Sequence, residues 1–119
     1  MHKELWQAWI EGYLRAWKSN DPADIGRLFT PDARYYTAPF REPWAGRDGI
    51  IAGWLNRQDA PGDFTFAYEL LAVDGNLGVM RGRTNYVNEP PREYHNLWLI
   101  RLADSGQCTE FTEFWMLRS

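Results

Sequence analysis

Turn residues divide the second half of the chain into four segments of strand length, and this division constrains the fold more than any other feature. The segments cover residues 63–73, 77–87, 92–103 and 107–117. Glycine, proline, aspartate and asparagine dominate the short runs between them, which is typical of tight connections between neighbouring strands. We therefore predict four strands joined as an antiparallel meander.

The beginning of the chain has helical rather than strand spacing. From Leu5 to Trp17 the apolar residues recur every three or four positions. This spacing predicts a first helix with one broad buried face.

Two further helices and one short strand are predicted before the meander. Asp21 and Pro22 are typical of an N-cap and a first helical residue, and the next proline should end this helix near Phe29. Residues 33–36 leave room for only a short strand, and a third helix is predicted after Gly46. Three N-terminal helices packed on a curved antiparallel sheet make an α+β fold.

The composition suits a single domain. At 119 residues, of which 45% are hydrophobic, the chain can form one core, and we predict that residues 1–119 are one domain. Seven Trp, six Tyr and six Phe exceed what a minimal core needs. They indicate either aromatic walls around a cavity or interface, or simply a bulky core.

Charge and reactive side chains argue against several classes of function. A formal net charge of −3 without a Lys/Arg run disfavours a nucleic-acid partner. The single cysteine, Cys108, cannot form an internal disulfide, and with only two histidines we predict neither a metal site nor a cofactor. No segment approaches the roughly 20 apolar residues that span a bilayer, and the first residues have no apolar signal core, so we expect a cytoplasmic protein without a membrane partner.

The register of the last hairpin follows from its turn. Closing the hairpin around Ser105 and Gly106 places Arg101 opposite Glu110, and a cross-strand ion pair supports that register. Alternation then puts one set of side chains on one face, Asn96, Trp98, Ile100, Phe111, Glu113 and Trp115, and another set on the other face, His95, Leu97, Leu99, Thr112 and Phe114. In the earlier hairpin, similar pairing groups Arg81, Arg83 and Asn85 with Phe66, Tyr68 and Leu70.

Three stretches carry a resemblance to a known family. They are Tyr13 on the aromatic first helix, the run TAPFREPWAGRDGI over residues 37–50, and the run EFTEFW over residues 110–115. Together they resemble the SnoaL-like branch of the nuclear transport factor 2-like superfamily. The resemblance covers nearly the whole chain and implies a cone-shaped fold with one pocket. That fold serves isomerases, dehydratases, cyclases, hydrolases and binding proteins alike, so it does not name a function.

The resemblance also implies which face of the sheet is concave. In the related steroid isomerases an aromatic-Trp pair similar to Phe114 and Trp115 ends the strand, and the tryptophan lines the pocket. By this similarity the residues expected inside are Asn96, Trp98, Phe111, Glu113 and Trp115. We also predict Trp17, Tyr36, Trp54 and Phe66 as aromatic contacts of a substrate. The outer face would carry Leu97, Leu99, Phe114 and Met116, and it is too apolar to remain exposed, which predicts a homodimer.

Tyr13 is similar in position to the helix-one tyrosine with which those isomerases hydrogen-bond a substrate oxyanion. It could equally be a core residue whose hydroxyl bonds another polar group. The chain departs from the isomerases where Thr37 replaces the aspartate base and where Trp98 replaces a protonated aspartate. A hydroxyl without an adjacent base cannot abstract a proton from carbon, and indole cannot titrate, so steroid isomerisation is disfavoured.

Glu113 is the remaining candidate for a general acid or base. Its expected aromatic neighbours would desolvate the carboxyl group and raise its pKa. The competing interpretation is an ion pair with Arg81 or Arg83, which would make Glu113 a charged structural residue. The two arginines could also bind a carboxylate or phosphate of a substrate, or simply be solvated strand residues.

Two functional hypotheses follow. In the first, the aromatic cone binds a compact, largely apolar small molecule and acts as a cofactor-independent acid/base isomerase, cyclase or dehydratase, with Glu113, Tyr13 and Asn96 as catalytic residues. In the second, a non-catalytic ligand-binding or dimerisation module uses its aromatic residues only to fill the cone. An open pocket with an unpaired carboxylate favours the enzyme, and a filled pocket with a Glu113-arginine pair favours the module.

Overall fold

A computed structural model describes residues 3–57, 62–87 and 90–118 of the chain. Its helices and strands are, in order, α1 (Lys3–Ser19), α2 (Pro22–Gly26), β1 (Phe29–Tyr36), β2 (Trp44–Ala45), α3 (Gly46–Asn56), β3 (Phe64–Asp74), β4 (Leu77–Tyr86), β5 (Arg92–Leu102) and β6 (Cys108–Leu117). The α+β class and the four long strands of the second half agree with the sequence. None of the described helices has the length and apolar content needed to cross a membrane.

All six strands form one curved sheet in the order β2-β1-β6-β5-β4-β3. Strands β3 to β6 pair antiparallel, as the meander predicts. Strand β1, however, pairs in parallel with β6, with Tyr35 beside Phe111. The sheet is therefore mixed, and the prediction of a wholly antiparallel sheet was wrong. The two strands are far apart in the sequence, so no local turn signal indicates their pairing.

The first part of the chain differs from the prediction in where helix ends and strand begins. Asp21 caps α2 by accepting a hydrogen bond from the backbone N–H of Ala23, as expected, but α2 ends at Gly26 rather than near Phe29. Phe29 is fully buried and begins β1, and the register of β1 against β6 shifts before Arg34. A proline is tolerated in a strand at such an irregularity, so Pro31 lies inside β1. Helix α3 also follows β1 and β2, so only two helices precede the sheet.

Helix α1 covers one face of the sheet through its aromatic side. Trp6, Trp9, Ile10 and Tyr13 are buried there. The indole N–H of Trp6 donates to the backbone oxygen of Ile100 at 2.9 Å, which joins the helix to β5. Trp6 fits because Gly78 has no side chain, since a Cβ at that position would overlap the indole ring. The core therefore lies between α1 and the sheet.

The predicted register of the last hairpin is confirmed. Arg101 pairs with Glu110, their side chains are 3.7 Å apart, and Trp98 lies opposite Glu113. Asn96 and Trp98 are buried on the face that α1 covers, whereas Phe114 is exposed.

On the side of Leu71 that is farther from the turn, the faces predicted for the β3–β4 hairpin were wrong. Near the turn Asp74 pairs with Leu77, and a continuous ladder from there would put Arg81 on the face of Leu70. The ladder is interrupted at Leu71, where an extra residue shifts the register. Because a shift of one residue reverses every later side chain, Arg81 and Arg83 lie on the outer face, away from Phe66.

Candidate functional site

A cavity of about 340 Å³ lies between the covered face of the sheet and helices α1 and α3. This volume falls at the lower end of the range of roughly 300–1,000 Å³ found for small-molecule pockets. Its described lining residues are Tyr13, Trp17, Tyr35, Thr37, Arg41, Trp44, Trp54, Arg57, Thr84, Tyr86, Arg92, Tyr94, Asn96, Trp98, Glu113 and Trp115. Buried side chains such as Trp98 form the inner end, and exposed arginines form the opening.

The structure brings most of the predicted site residues to this cavity. Those that line it are Tyr13, Trp17, Trp54, Asn96, Trp98, Glu113 and Trp115. Those that do not line it are Tyr36, Phe66, Arg81, Arg83 and Phe111.

Each of the residues that does not line the cavity has a physical reason for its position. Tyr36 follows Tyr35 on β1, and successive strand residues point to opposite faces. Phe66 stacks on Trp98 at 5.2 Å between ring centroids, and Phe111 stacks on Tyr35 at 4.5 Å, so both rings support lining residues from behind. The two arginines are displaced by the bulge at Leu71, and Arg81 pairs with Glu69 at 2.7 Å on the outer face.

The carboxyl group of Glu113 is held by two side chains of the neighbouring strand. Asn96 donates from Nδ2 to Oε2 of Glu113 at 2.6 Å, and the indole N–H of Trp98 donates to the same oxygen at 3.2 Å. The other oxygen, Oε1, accepts no hydrogen bond from the described residues. One oxygen is thus anchored, and the other is available to a molecule in the cavity.

Thr84 fixes the orientation of Asn96. Its buried hydroxyl donates to Oδ1 of Asn96 at 2.9 Å, so the amide nitrogen of Asn96 must face Glu113. The network therefore runs from Thr84 through Asn96 to Glu113 across β4, β5 and β6, between residues that are diagonal to one another in the strand register.

Desolvation dominates the electrostatics of Glu113. Burial among aromatic rings raises the pKa of this carboxyl group above its ordinary value, while the N–H donors of Trp98 and Asn96 lower it by a smaller amount. In the described part of the chain no cation forms an ion pair with Glu113. The interpretation of Glu113 as a partner of Arg81 or Arg83 was therefore wrong.

Two phenols meet at the inner end of the cavity. The hydroxyl oxygens of Tyr13 and Tyr35 are 2.6 Å apart, and both residues are buried. Burial raises the pKa of both phenols, and the nearby charge of Glu113 raises both further. Both phenols therefore stay protonated at neutral pH. One O–H bridges the pair, which leaves the second phenol proton for another acceptor.

Sequence reasoning missed several lining residues. Tyr35 could have been found from the alternation of β1, because Thr37 lies on the same face, but β1 was assigned no partner strand. Trp44 belongs to β2, which is two residues long and has no recognisable pattern. Thr84 lies within β4 and faces the cavity only because of the register shift between Leu70 and Ala72. The other missed residues lie in loops or near the ends of elements, where the path of the chain decides the position of the side chain: Thr37, Arg41, Arg57, Tyr86, Arg92 and Tyr94.

The described residues contain no group of three or more His, Cys, Asp or Glu side chains that could hold a metal ion. Cys108 is buried, and burial raises the pKa of its thiol.

Residues 10–111 match the model of the SnoaL-like domain family. The chain belongs to this family. No curated protein sequence is significantly similar to this SnoaL-like chain.

Solved structures with the same fold include proteins with different names. An NTF-2-like protein of unknown function from Burkholderia xenovorans has a TM-score of 0.76 at 16% identity, covering 100% of this chain and 88% of its own. A ketosteroid isomerase-like protein from Erwinia carotovora atroseptica has a TM-score of 0.71 at 18% identity, covering 98% and 97%. The epoxide hydrolase/cyclase-like enzyme SalBIII, described in pyran ring formation in the polyether salinomycin, has a TM-score of 0.74 at 16% identity, covering 98% and 95%. At these identities the likeness shows that the SnoaL-like chain has the NTF-2-like fold.

Proposed function

We propose that the cavity binds a compact, largely apolar small molecule and performs cofactor-independent acid/base chemistry on it. The observation that carries this proposal is the carboxyl group of Glu113. It faces the cavity, has one anchored and one available oxygen, and has a raised pKa without a paired cation in the described chain. A carboxyl group of this kind can act as a general acid or a general base.

The two oxygens of Glu113 have different roles in this proposal. Asn96 and Trp98 hold Oε2, so the proton of the neutral acid belongs on Oε1, which faces the bound molecule. In the ionised form the same oxygen accepts a proton from the substrate. Asn96 and Thr84 act as positioning residues for this transfer.

The Tyr13–Tyr35 pair supplies the hydrogen bond that such a reaction needs. When Glu113 removes a proton next to a carbonyl group, negative charge develops on the carbonyl oxygen. The phenol proton that does not bridge the pair can donate to this oxygen from a site that requires little reorganisation. Isomerisation, cyclisation and dehydration all use such a proton transfer, and the name of SalBIII supports including cyclisation among them.

Steroid isomerisation is not part of the proposal. Thr37 lines the cavity at the position that resembles the aspartate base of the isomerases. The indole N–H of Trp98 is used by Glu113 and cannot serve as a donor to the substrate at the same time.

The non-catalytic module is less well supported. That hypothesis expected a filled cone and an arginine partner for Glu113, whereas the cavity is open and Glu113 has no such partner among the described residues.

The proposal can be tested with 5-nitrobenzisoxazole, a compact apolar probe of general bases. A carboxylate removes its ring C–H proton, the ring N–O bond breaks, and the oxygen leaves as a coloured phenolate. We expect the wild-type chain to accelerate this reaction, with a rate that rises with pH as Glu113 ionises. Glu113→Gln should lose at least about 100-fold, since general bases typically contribute roughly 10²–10⁴-fold.

Glu110→Gln is the matched control for this experiment. Glu110 lies on the same strand but pairs with Arg101 outside the cavity, so its loss should leave the rate unchanged. A wild-type rate equal to that of Glu113→Gln would contradict the proposed role of Glu113.

A further inference from the structure

Three arginines surround the opening of the cavity. Arg41 lies in the loop between β1 and β2, Arg57 follows α3, and Arg92 begins β5. All three are exposed, and none forms an ion pair with a carboxylate of the described residues. We call them the arginine rim.

Two aromatic rings hold one member of the arginine rim in place. The guanidinium of Arg92 lies 4.8 Å from the ring centroid of Tyr86 and 5.9 Å from that of Tyr94, and both rings line the cavity. Stacking of this kind uses the face of the guanidinium and leaves its N–H edges for a planar anion. Arg92 is thus positioned before any ligand arrives.

The cations of the arginine rim come from different layers of the fold. Arg57 directly follows α3, Arg92 begins β5, and both line the cavity. The arginine rim therefore includes a cation on the helix side of the opening and one on the sheet side.

The charge of the cavity is opposite to the charge of the chain. The whole chain has a formal net charge of −3, yet its described cavity lining contains three arginines and one carboxylate, Glu113. Three cations against one carboxylate leave this described lining net positive even when Glu113 is ionised. A surface field of this sign attracts anions to the opening.

We propose that the ligand of this cavity carries an anionic group, a carboxylate or a phosphate, which Arg41, Arg57 and Arg92 bind at the opening. The apolar part of the same molecule then extends between the aromatic walls toward Glu113 and the Tyr13–Tyr35 pair. This inference rests on the proposed small-molecule function and specifies the class of substrate.

A matched pair of probes tests the inference on the full chain. 2-Naphthoate and 2-naphthamide have nearly the same shape, but only the first is an anion. Binding can be followed by the change in fluorescence of the tryptophans in the cavity wall. We expect naphthoate to bind at least about tenfold more tightly, because only its carboxylate can accept charge-assisted hydrogen bonds from the guanidinium groups; tenfold corresponds to about 1.4 kcal/mol. This preference should weaken as salt is added.

Arginine variants identify the source of the preference. Arg57→Gln and Arg92→Gln should each reduce naphthoate binding several-fold and leave naphthamide binding unchanged. Arg81→Gln is the matched control, because it removes the same charge from an exposed arginine on the outer face. 2-Naphthyl phosphate in the same assay decides which anion the rim prefers.

The outcomes separate this inference from the proposed function. Equal affinity for naphthoate and naphthamide, with the nitrobenzisoxazole reaction intact, would overturn the proposed anion binding by the arginine rim. The acid/base proposal would be unaffected. A preference that survives in both rim variants would also overturn it. If the rim binds naphthoate selectively but the nitrobenzisoxazole reaction is absent, the inference about the ligand holds and the acid/base proposal fails.

Discussion

Glu113 and Trp98 lie directly opposite each other on β6 and β5, and this pairing sets the environment of the carboxyl group. The turn of the last hairpin, together with the opposite charges of Arg101 and Glu110, was sufficient to predict it from the sequence. The alternation of β1 could have placed Tyr35 on the face of Thr37, but its pairing with Phe111 could not be predicted, because β1 and β6 are far apart in the sequence. Side chains whose positions follow from one local hairpin were predictable, and those that depend on distant pairing were not.

At the residue scale, the raised pKa of Glu113 predicts a pH-dependent stability. Below the unfolded-state pKa the carboxyl group is protonated in both states, and its contribution to stability is fully present. As the pH rises through the higher folded-state pKa, the folded chain must hold a desolvated charge, and stability is lost. Glu113→Gln cannot ionise, so its stability relative to wild type should increase with pH.

Urea unfolding of the two proteins between about pH 4 and pH 8 measures this difference through its linkage to proton binding. Glu110→Gln controls for the loss of a carboxylate from the same strand. A stability difference between Glu113→Gln and wild type that stays constant, or that falls with rising pH, would show that folding does not raise the pKa of Glu113.

Trp98→Ala should be strongly destabilising. Trp98 is 1% exposed and its ring lies 4.5 Å from Tyr13 and 5.1 Å from Phe111 between centroids. Truncating a buried large aromatic residue costs about 3–5 kcal/mol. Trp115→Ala is the comparison, because Trp115 is 47% exposed and its loss should cost much less. If Trp98→Ala lowers the free energy of unfolding by less than about 1 kcal/mol in a denaturant titration, Trp98 is not a buried part of the cavity wall.

At the scale of elements, the existence and type of each long helix and strand followed from apolar spacing and turn residues. The errors in the predicted strands arose where an irregularity shifts the register of strand pairing. The bulge at Leu71 reverses the later faces of the β3–β4 hairpin, and the irregularity in β1 allows Pro31 inside a strand. Both sheet faces are rich in apolar residues, so an interrupted alternation leaves no clear signal in the sequence. Arg81 and Arg83, which were predicted to contact a substrate, consequently lie on the outer face.

The close contact between α1 and β4 predicts that Gly78 cannot accept a side chain. A Cβ there would overlap the indole of Trp6 and force it away from its hydrogen bond to Ile100. We expect Gly78→Ala to cost about 1–3 kcal/mol, as overpacking usually does. Gly49→Ala in α3 is the control, since a Cβ meets nothing within 4 Å there and alanine favours a helix. Equal stabilities of the two variants in thermal unfolding would contradict the described packing.

At the scale of the whole molecule, the two faces of the sheet differ in what covers them. The inner face is closed by α1, and the outer face carries the apolar side chains of Leu97, Leu99, Phe114 and Met116. Met116 is 69% exposed and Phe114 is 38% exposed in the single chain. The parallel pairing of β1 with β6 completes the cavity wall and could not be predicted, since it joins residues as far apart in the sequence as Tyr35 and Phe111.

The outer face predicts a homodimer, because contiguous exposed apolar surface is usually covered by a partner. Light scattering should give the mass of two chains at protein concentrations on the order of tens of micromolar, well above the dissociation constant expected for a stable interface. Met116→Lys should shift the protein toward monomer, whereas Leu71→Lys at the exposed bulge serves as a charge control. A wild-type chain that is only monomeric under these conditions would refute the dimer.

The central claim is that Glu113 is a desolvated, unpaired carboxyl group that can exchange a proton with a ligand, and its own titration tests this claim most directly. Side-chain carboxyl signals of glutamate can be followed by ¹³C NMR as a function of pH, with Glu113→Gln identifying the signal of Glu113. We predict a pKa above the ordinary value of 4.5, because burial among Trp98 and its neighbours destabilises the charged form. A measured pKa at or below 4.5 would show that the carboxylate is solvated or paired, and would contradict the acid/base account of this cavity.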